Sequence, residues 1–146
     1  MTIFADTGVL LRLLEATDPF HGDASRAITV ILARNDEIVM AHQNVAEFWN
    51  VCTRPKSARN GLGLSIQETD LRVQQIESMF RIIVELPTSY PIWRRLVVTH
   101  SVRGKQVHDA KLTATMMAHG IDTILTFNGP DFSRFPGITT IDPRTV

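Results

Sequence analysis

The feature that most constrains this chain is a set of short runs in which every residue is apolar. Ile3-Phe4-Ala5, Ile38-Val39-Met40, Ile82-Ile83-Val84 and Ile124-Leu125 are too short for helices and lack the polar alternation of a strand with one wet face. A strand that is apolar on both faces must be covered on both, and sheets of that kind are built from parallel strands joined by helical crossovers. The intervening segments carry helical spacing. Val9, Leu10, Leu13 and Leu14 follow the first run, and Phe20, Ala24, Ala27, Ile28, Ile31 and Leu32 form a stripe behind Asp18-Pro19, a cap and first-turn pair. Asn44 is placed to cap a helix bearing Val45, Phe48, Trp49 and Cys52 that Pro55 stops, and Ser65 with Glu68 forms a capping box for a third helix through Val73, Ile76 and Phe80. Further helices start at Ser89-Pro91 and run from Val107 to His119, where Gly120 ends the last of them. Strands at 123–127 and 138–141 complete an α/β chain, a layered sandwich around a mainly parallel sheet of five strands.

A length of 146 residues suits one domain spanning 1–146, and no repeat, linker or low-complexity segment interrupts it. The glycine-containing basic stretch from Arg54 to Gly63 reads as a surface loop. With 15 basic against 15 acidic residues, a polyanionic partner has to meet a local patch rather than the whole surface. One cysteine, Cys52, can close no intrachain disulfide and reads as a small buried apolar group. No run approaches the roughly 20 apolar residues of a membrane span, and no basic leader precedes the first strand, so a cytoplasmic protein without membrane contact is expected.

The informative acidic residues sit where strands end or helices begin. Asp6 directly follows the first strand, Glu47 and Asp109 fall in the first turns of two helices, and Asp131 lies three residues after Asn128 at the end of the fourth strand. In an open parallel sheet the carboxyl ends of the strands share one edge, where these side chains can meet. Clustered carboxylates repel, and a hard divalent cation, Mg²⁺ or Mn²⁺, is the natural compensation; the absence of paired histidines or cysteines argues against zinc. Two ions about 4 Å apart can activate water for attack on phosphorus and stabilise the leaving oxygen. Each residue also has a structural explanation: Asp6 as a helix cap, Asp109 as a partner of a helix dipole, Asn44 with Glu47 as a capping pair, and Asn128 and Asp131 as turn formers around Gly129-Pro130.

The segments Ile3-Phe4-Ala5-Asp6-Thr7-Gly8-Val9-Leu10-Leu11, Asn44-Val45-Ala46-Glu47-Phe48, His108-Asp109-Ala110 and Ile124-Leu125-Thr126-Phe127-Asn128-Gly129-Pro130-Asp131-Phe132 resemble, in order and spacing, the PIN-domain ribonucleases. Within that family the chain is most similar to VapC-type toxins of toxin-antitoxin pairs. The resemblance implies a three-layer α/β/α sandwich and Mg²⁺- or Mn²⁺-dependent cleavage of RNA. It makes Asp6, Glu47 and Asp109 metal ligands and catalytic residues, Asn128 a fourth catalytic position that the pattern fills with Asp or Asn, and Asp131 a further metal ligand. Thr7 and Thr126 take supporting places. Asparagine at 128 removes one negative charge, so one tightly bound ion at rest is expected. The resemblance also implies a homodimer, a cognate antitoxin whose tail covers the site, and a loop of tRNA or ribosomal RNA as target.

Attraction of RNA to an acidic cleft requires flanking positive charge. Arg103 and Lys105 precede the Asp109 helix, and Arg54, with Lys56 and Arg59, follows the Glu47 helix, so Arg103, Lys105 and Arg54 are the substrate-binding candidates. His108 reads as structural because water activated by a metal needs no histidine base, and Trp49 and Trp93 lie on packing stripes. A phosphoacceptor receiver would want an acidic pair near the first strand, and a dehalogenase-like phosphatase a second Asp where Gly8 stands. The remaining alternative is a non-catalytic PIN-like module that binds RNA or a partner, against which the intact, mutually repelling Asp6, Glu47 and Asp109 argue.

Overall fold

The computed structural model describes residues 1–146. The apolar runs become strands, and the order of elements is β1 (Thr2–Ala5), α1 (Thr7–Leu14), α2 (His21–Ala33), β2 (Glu37–Ala41), α3 (His42–Thr53), α4 (Ile66–Met79), β3 (Arg81–Ile83), α5 (Ser89–Thr99), α6 (Gln106–Ala118), β4 (Thr123–Leu125), α7 (Gly129–Ser133) and β5 (Thr139–Ile141), before a 3-10 turn at Pro143–Thr145. The sheet runs β3-β2-β1-β4-β5 with every neighbouring pair parallel. No helix is long and apolar enough to cross a membrane.

Period-two geometry explains why these strands lack polar positions. Ile3 and Ala5 of β1, Ile38 and Met40 of β2 and Leu125 of β4 pack with residues of α1 to α4 in one buried cluster. The alternate residues Phe4, Val39, Ala41, Ile83 and Ile124 pack with Leu112 and Met116 of α6 and Phe132 of α7 in a second. A third cluster of Leu96, Ala110, Ala114 and Phe135 seats α5 on α6. Helices therefore cover both faces, and the result is a three-layer α/β/α sandwich. Cys52 is fully buried in the first cluster.

Several boundaries differ from the sequence expectation. Asp18 does not begin α2: its carboxylate accepts from the Phe20 N–H, closing a turn, and the helix starts at His21. Asn44 does not cap α3, which starts two residues earlier; it sits at the third helical position and accepts from the Ala41 N–H with its side chain (2.8 Å). Glu47 consequently lies in the second turn, not the first. The Ser65–Glu68 capping box forms in both directions. β3 starts one residue before Ile82, β4 stops at Leu125 instead of 127, and the segment read as a turn at Asn128-Gly129-Pro130 opens the short helix α7.

Candidate active site

The chain leaves β1 in one direction towards β2 and β3, and reaches β4 and β5 on the other side of β1, so the order reverses between β1 and β4. At such a switch point the loops after two adjacent strands diverge and open a crevice at their carboxyl ends. Asp6 follows β1 and Thr126 follows β4, on the two lips of that crevice.

Hydrogen bonds fix Asp6 in place. One carboxylate oxygen accepts from the Thr7 N–H (2.8 Å), capping α1, and the other accepts from the Thr126 hydroxyl (2.8 Å). The cap and site readings of Asp6 are thus compatible. The Thr7 hydroxyl donates to Glu47 (2.7 Å) and accepts from the Asn44 amide (3.1 Å), which also reaches the Ala5 carbonyl. Gln43, one turn before Glu47, donates to its other carboxylate oxygen (2.7 Å) and to the His108 carbonyl (2.8 Å), tying α3 to the start of α6.

A cleft of about 650 Å³ is lined by Gln43, Glu47, Asn50, Arg54, Lys105, Gln106, His108, Asp109 and Asp131 among others. Asp6 is not among the lining residues and is nearly buried at 8% exposure. Burial pushes the Asp6 carboxyl up to about 6, with Glu47 and Asp131 adding to the rise and the Thr126 and Thr7 hydrogen bonds opposing it. Asp109 is pushed up to about 7, chiefly by burial and then by the charges of Asp6, Asp131 and Glu47, against a small opposing pull from Lys105. Four carboxylates from β1's end, α3, α6 and α7 therefore act on one another electrostatically.

In this arrangement no three His, Cys, Asp or Glu side chains stand close enough to share one metal ion directly. The hydrogen bonds from Thr7, Thr126 and Gln43 fix the Asp6 and Glu47 carboxylates separately. The donor set nonetheless fits a hard cation: it is made of carboxylate oxygens, and burial first, then the neighbouring carboxylates, lifts the Asp6 and Asp109 carboxyls above the ordinary range. Mg²⁺ keeps several of its waters and needs few direct protein ligands.

Of the expected residues, Glu47, Asp109, Asp131, Lys105 and Arg54 line the cleft, and Asp6 is buried outside its lining but near enough to raise the Asp109 carboxyl. Asn128 lines a neighbouring cavity instead, and Arg103 lies exposed in the turn before α6. Arg54 also donates to the Arg59 carbonyl (2.7 Å), which orients it. Sequence reasoning missed Gln43, although its spacing of four from Glu47 on one helix was the available signal.

Comparison with known proteins agrees with this architecture. Residues 3–138 match the model of the PIN domain. The chain is 28% identical over 138 residues to the ribonuclease VapC48 of Mycobacterium tuberculosis, covering 94% of each. Among solved structures it is similar to VapC20 of Mycobacterium tuberculosis, a toxin that cleaves the sarcin-ricin loop (TM-score 0.64, 23% identity, 90% of this chain and 92% of that one). It is also similar to VapBC-1 from nontypeable Haemophilus influenzae (TM-score 0.72, 14% identity, 98% of each chain). The match spans nearly the whole sandwich and includes every segment that supplies an acidic side chain, so this chain belongs to the PIN domain family.

Proposed function

We propose that this chain is a VapC-type endoribonuclease, the toxin of a toxin-antitoxin pair, which hydrolyses RNA phosphodiester bonds with Mg²⁺ or Mn²⁺ held by Asp6, Glu47, Asp109 and Asp131. The observation that supports the reading is that Glu47, Asp109 and Asp131 line one cleft and that they and Asp6, from four separate elements, lie near enough to raise the Asp6 and Asp109 carboxyls. When bound, the cation supplies activation of a water and neutralisation of charge on the leaving oxygen. The chain's own residues do the positioning. Thr126 and the Thr7 N–H orient Asp6, the Thr7 hydroxyl and Gln43 orient Glu47, and Lys105 and Arg54 offer positive charge on the cleft wall to the phosphates of the strand.

The same proposal includes a single PIN-like domain over residues 1–146, a homodimer, a co-encoded antitoxin and a cytoplasmic site of action. The antitoxin is supported by similarity to toxin-antitoxin complexes such as VapBC2 from Rickettsia felis bound to a DNA fragment from their promoter (TM-score 0.71, 15% identity, 97% of this chain and 98% of that one). Incubation of total RNA with Mn²⁺, with and without EDTA, tests the activity. Wild type is expected to cut and EDTA to stop it, while Asp6→Asn and Asp109→Asn lose at least about 100-fold. Equal cutting by all three proteins would trace the activity to a contaminant and remove the assignment.

A further inference from the structure

Beside the acidic cleft lies a second cavity of about 400 Å³, which nothing in the proposed hydrolysis uses. Val51 lines both spaces, Gly8 stands two residues after Asp6 and Asn128 two after Thr126, so the cavity opens next to the site of chemistry. We propose that it is a nucleobase subsite: it receives one base of a single-stranded RNA beside the scissile phosphate, and Arg12, Asn60 and Asn128 make cleavage depend on that base. This rests on the ribonuclease reading above and adds a specificity determinant to it.

The local charge argues for a neutral polar ring rather than a phosphate. Arg12 faces Asp18, its Nε 3.6 Å from the carboxylate, and Glu15 is held by Arg72 at 3.1 Å. The acidic groups of the cavity wall are thereby balanced, with no net positive charge left for a phosphate. Leu11, Val51 and Leu62 supply apolar wall. The Arg12 guanidinium is fixed over the Phe127 ring, 4.6 Å from its centroid, with Phe20 at 5.6 Å and a further bond to the Gly8 carbonyl (3.2 Å). A Cβ on Gly8 would crowd Arg12 at 3.0 Å, so the glycine makes room for this placement. A planar, immobilised guanidinium suits stacking or paired hydrogen bonds to a base.

Asn60 is delivered to the cavity by a closely bonded loop. Its backbone is left-handed (φ 61), a region that asparagine enters more readily than other non-glycine residues. The Leu62, Gly63 and Leu64 N–H groups donate to the carbonyls of Val51, Arg54 and Cys52 (3.1, 2.8 and 2.8 Å), and a Cβ on Gly61 would collide with the Pro55 carbonyl. Across the cavity Asn128 is fixed through its backbone N–H, which donates to the Thr126 hydroxyl (3.0 Å) and leaves the side-chain amide to the cavity. An amide can pair a donor and an acceptor with a base edge, and RNA that is read by sequence is usually single-stranded, with its bases splayed out.

The test is to sequence the ends made from a randomised single-stranded RNA pool by wild type, Asn60→Gly and Arg12→Lys in Mn²⁺. Asn60→Gly removes the amide and keeps the left-handed backbone, and Arg12→Lys keeps the charge and removes the plane; melting curves verify that both fold. Wild type is expected to favour one base by about tenfold at one fixed position from the cut. Each variant is expected to fall below about twofold at that position, with preferences elsewhere unchanged. Wild-type base profiles in both variants, or a uniform loss of rate without change of profile, would overturn the subsite alone. Unchanged profiles with lost inhibition by the co-encoded antitoxin would make the cavity a protein-docking pocket and overturn it too. Wild type cutting no better than Asp6→Asn would remove the ribonuclease reading, and the subsite with it.

Discussion

Asp109 shows what a single residue contributes to a site at the expense of the fold. An ordinary Asp is ionised above pH 4, but here the folded protein holds the proton up to about 7. Raising the folded-state value of an acid favours folding only while the group is protonated. The contribution is therefore whole below about pH 4 and is lost as pH climbs through 7. Metal-free Asp109→Asn is accordingly expected to melt above wild type at pH 8, by about 2 kcal/mol once partial exposure is allowed for, with a smaller gap at pH 5. Added Mg²⁺ should reverse the order at pH 8, because wild type gains a ligand and the variant has lost one. An identical gap at both pH values in calorimetry would show that Asp109 carries no such penalty. Thr7 works in the opposite sense, joining Glu47 and Asn44 through one hydroxyl. Thr7→Val keeps the shape but strands a buried amide, and should cost about 1–3 kcal/mol and lower kcat, with Thr7→Ser restoring both. Asp6, Glu47 and Asp109 were legible in the sequence through the order and spacing of the segments that carry the family resemblance, since acidic residues are common at helix caps and in first turns and none of the three stands out singly. Thr7 and Thr126 had only the supporting places that the resemblance implied, and their contacts were not legible, since these partners lie 37 to 120 residues apart and no local pattern encodes a contact of that range; Gln43, four residues from Glu47, is the local exception.

At the scale of elements, legibility followed length and capping chemistry. The Ser65–Glu68 box located α4 to the residue, since both of its hydrogen bonds are local. Ser65→Ala should cost about 1 kcal/mol in denaturant unfolding and leave RNA cleavage unaltered, because the helix packs away from the cleft. A loss of cleavage equal to that of Asp6→Asn would contradict this placement. α3 was located three residues late because Asn44, a good cap by type, instead bonds backwards from inside the first turn to the true cap, Ala41. α7 was missed for a different reason. Its five residues are too few for a periodic stripe, and Gly129-Pro130 signals a turn as readily as a helix opening, where proline's missing N–H costs nothing. That helix matters, since it carries Asp131 to the cleft. Thr126, just past β4, still donates its N–H to the Ile141 carbonyl (3.0 Å) while its hydroxyl reaches Asp6, so a residue given to the strand by its hydropathy context also belongs to the site.

For the molecule as a whole, alternation of apolar runs and helical stripes implied a parallel sheet, but the order β3-β2-β1-β4-β5 came only with the structure. Nothing in the spacing says on which side of β1 the fourth strand will lie, and that choice creates the crevice. The same topology decides which basic residues matter to a neutral chain facing a polyanion. Lys105 and Arg54 are carried to the cleft wall, whereas Arg103, two residues before Lys105, lies outside it in an exposed turn. Each phosphate neutralised by a cation adds roughly 0.7 to the slope of log affinity against log salt for a single strand. In an Asp6→Asn background, which keeps the RNA uncut, Lys105→Ala should therefore lower that slope by about 0.7, and Arg103→Ala should change it distinctly less. The acidic floor of the cleft opposes the strand until a divalent ion offsets it. RNA affinity should accordingly rise on adding Mg²⁺ even though monovalent salt lowers it. Equal slopes for the two variants would mean that the strand crosses the protein beyond the cleft, over the turn that bears Arg103.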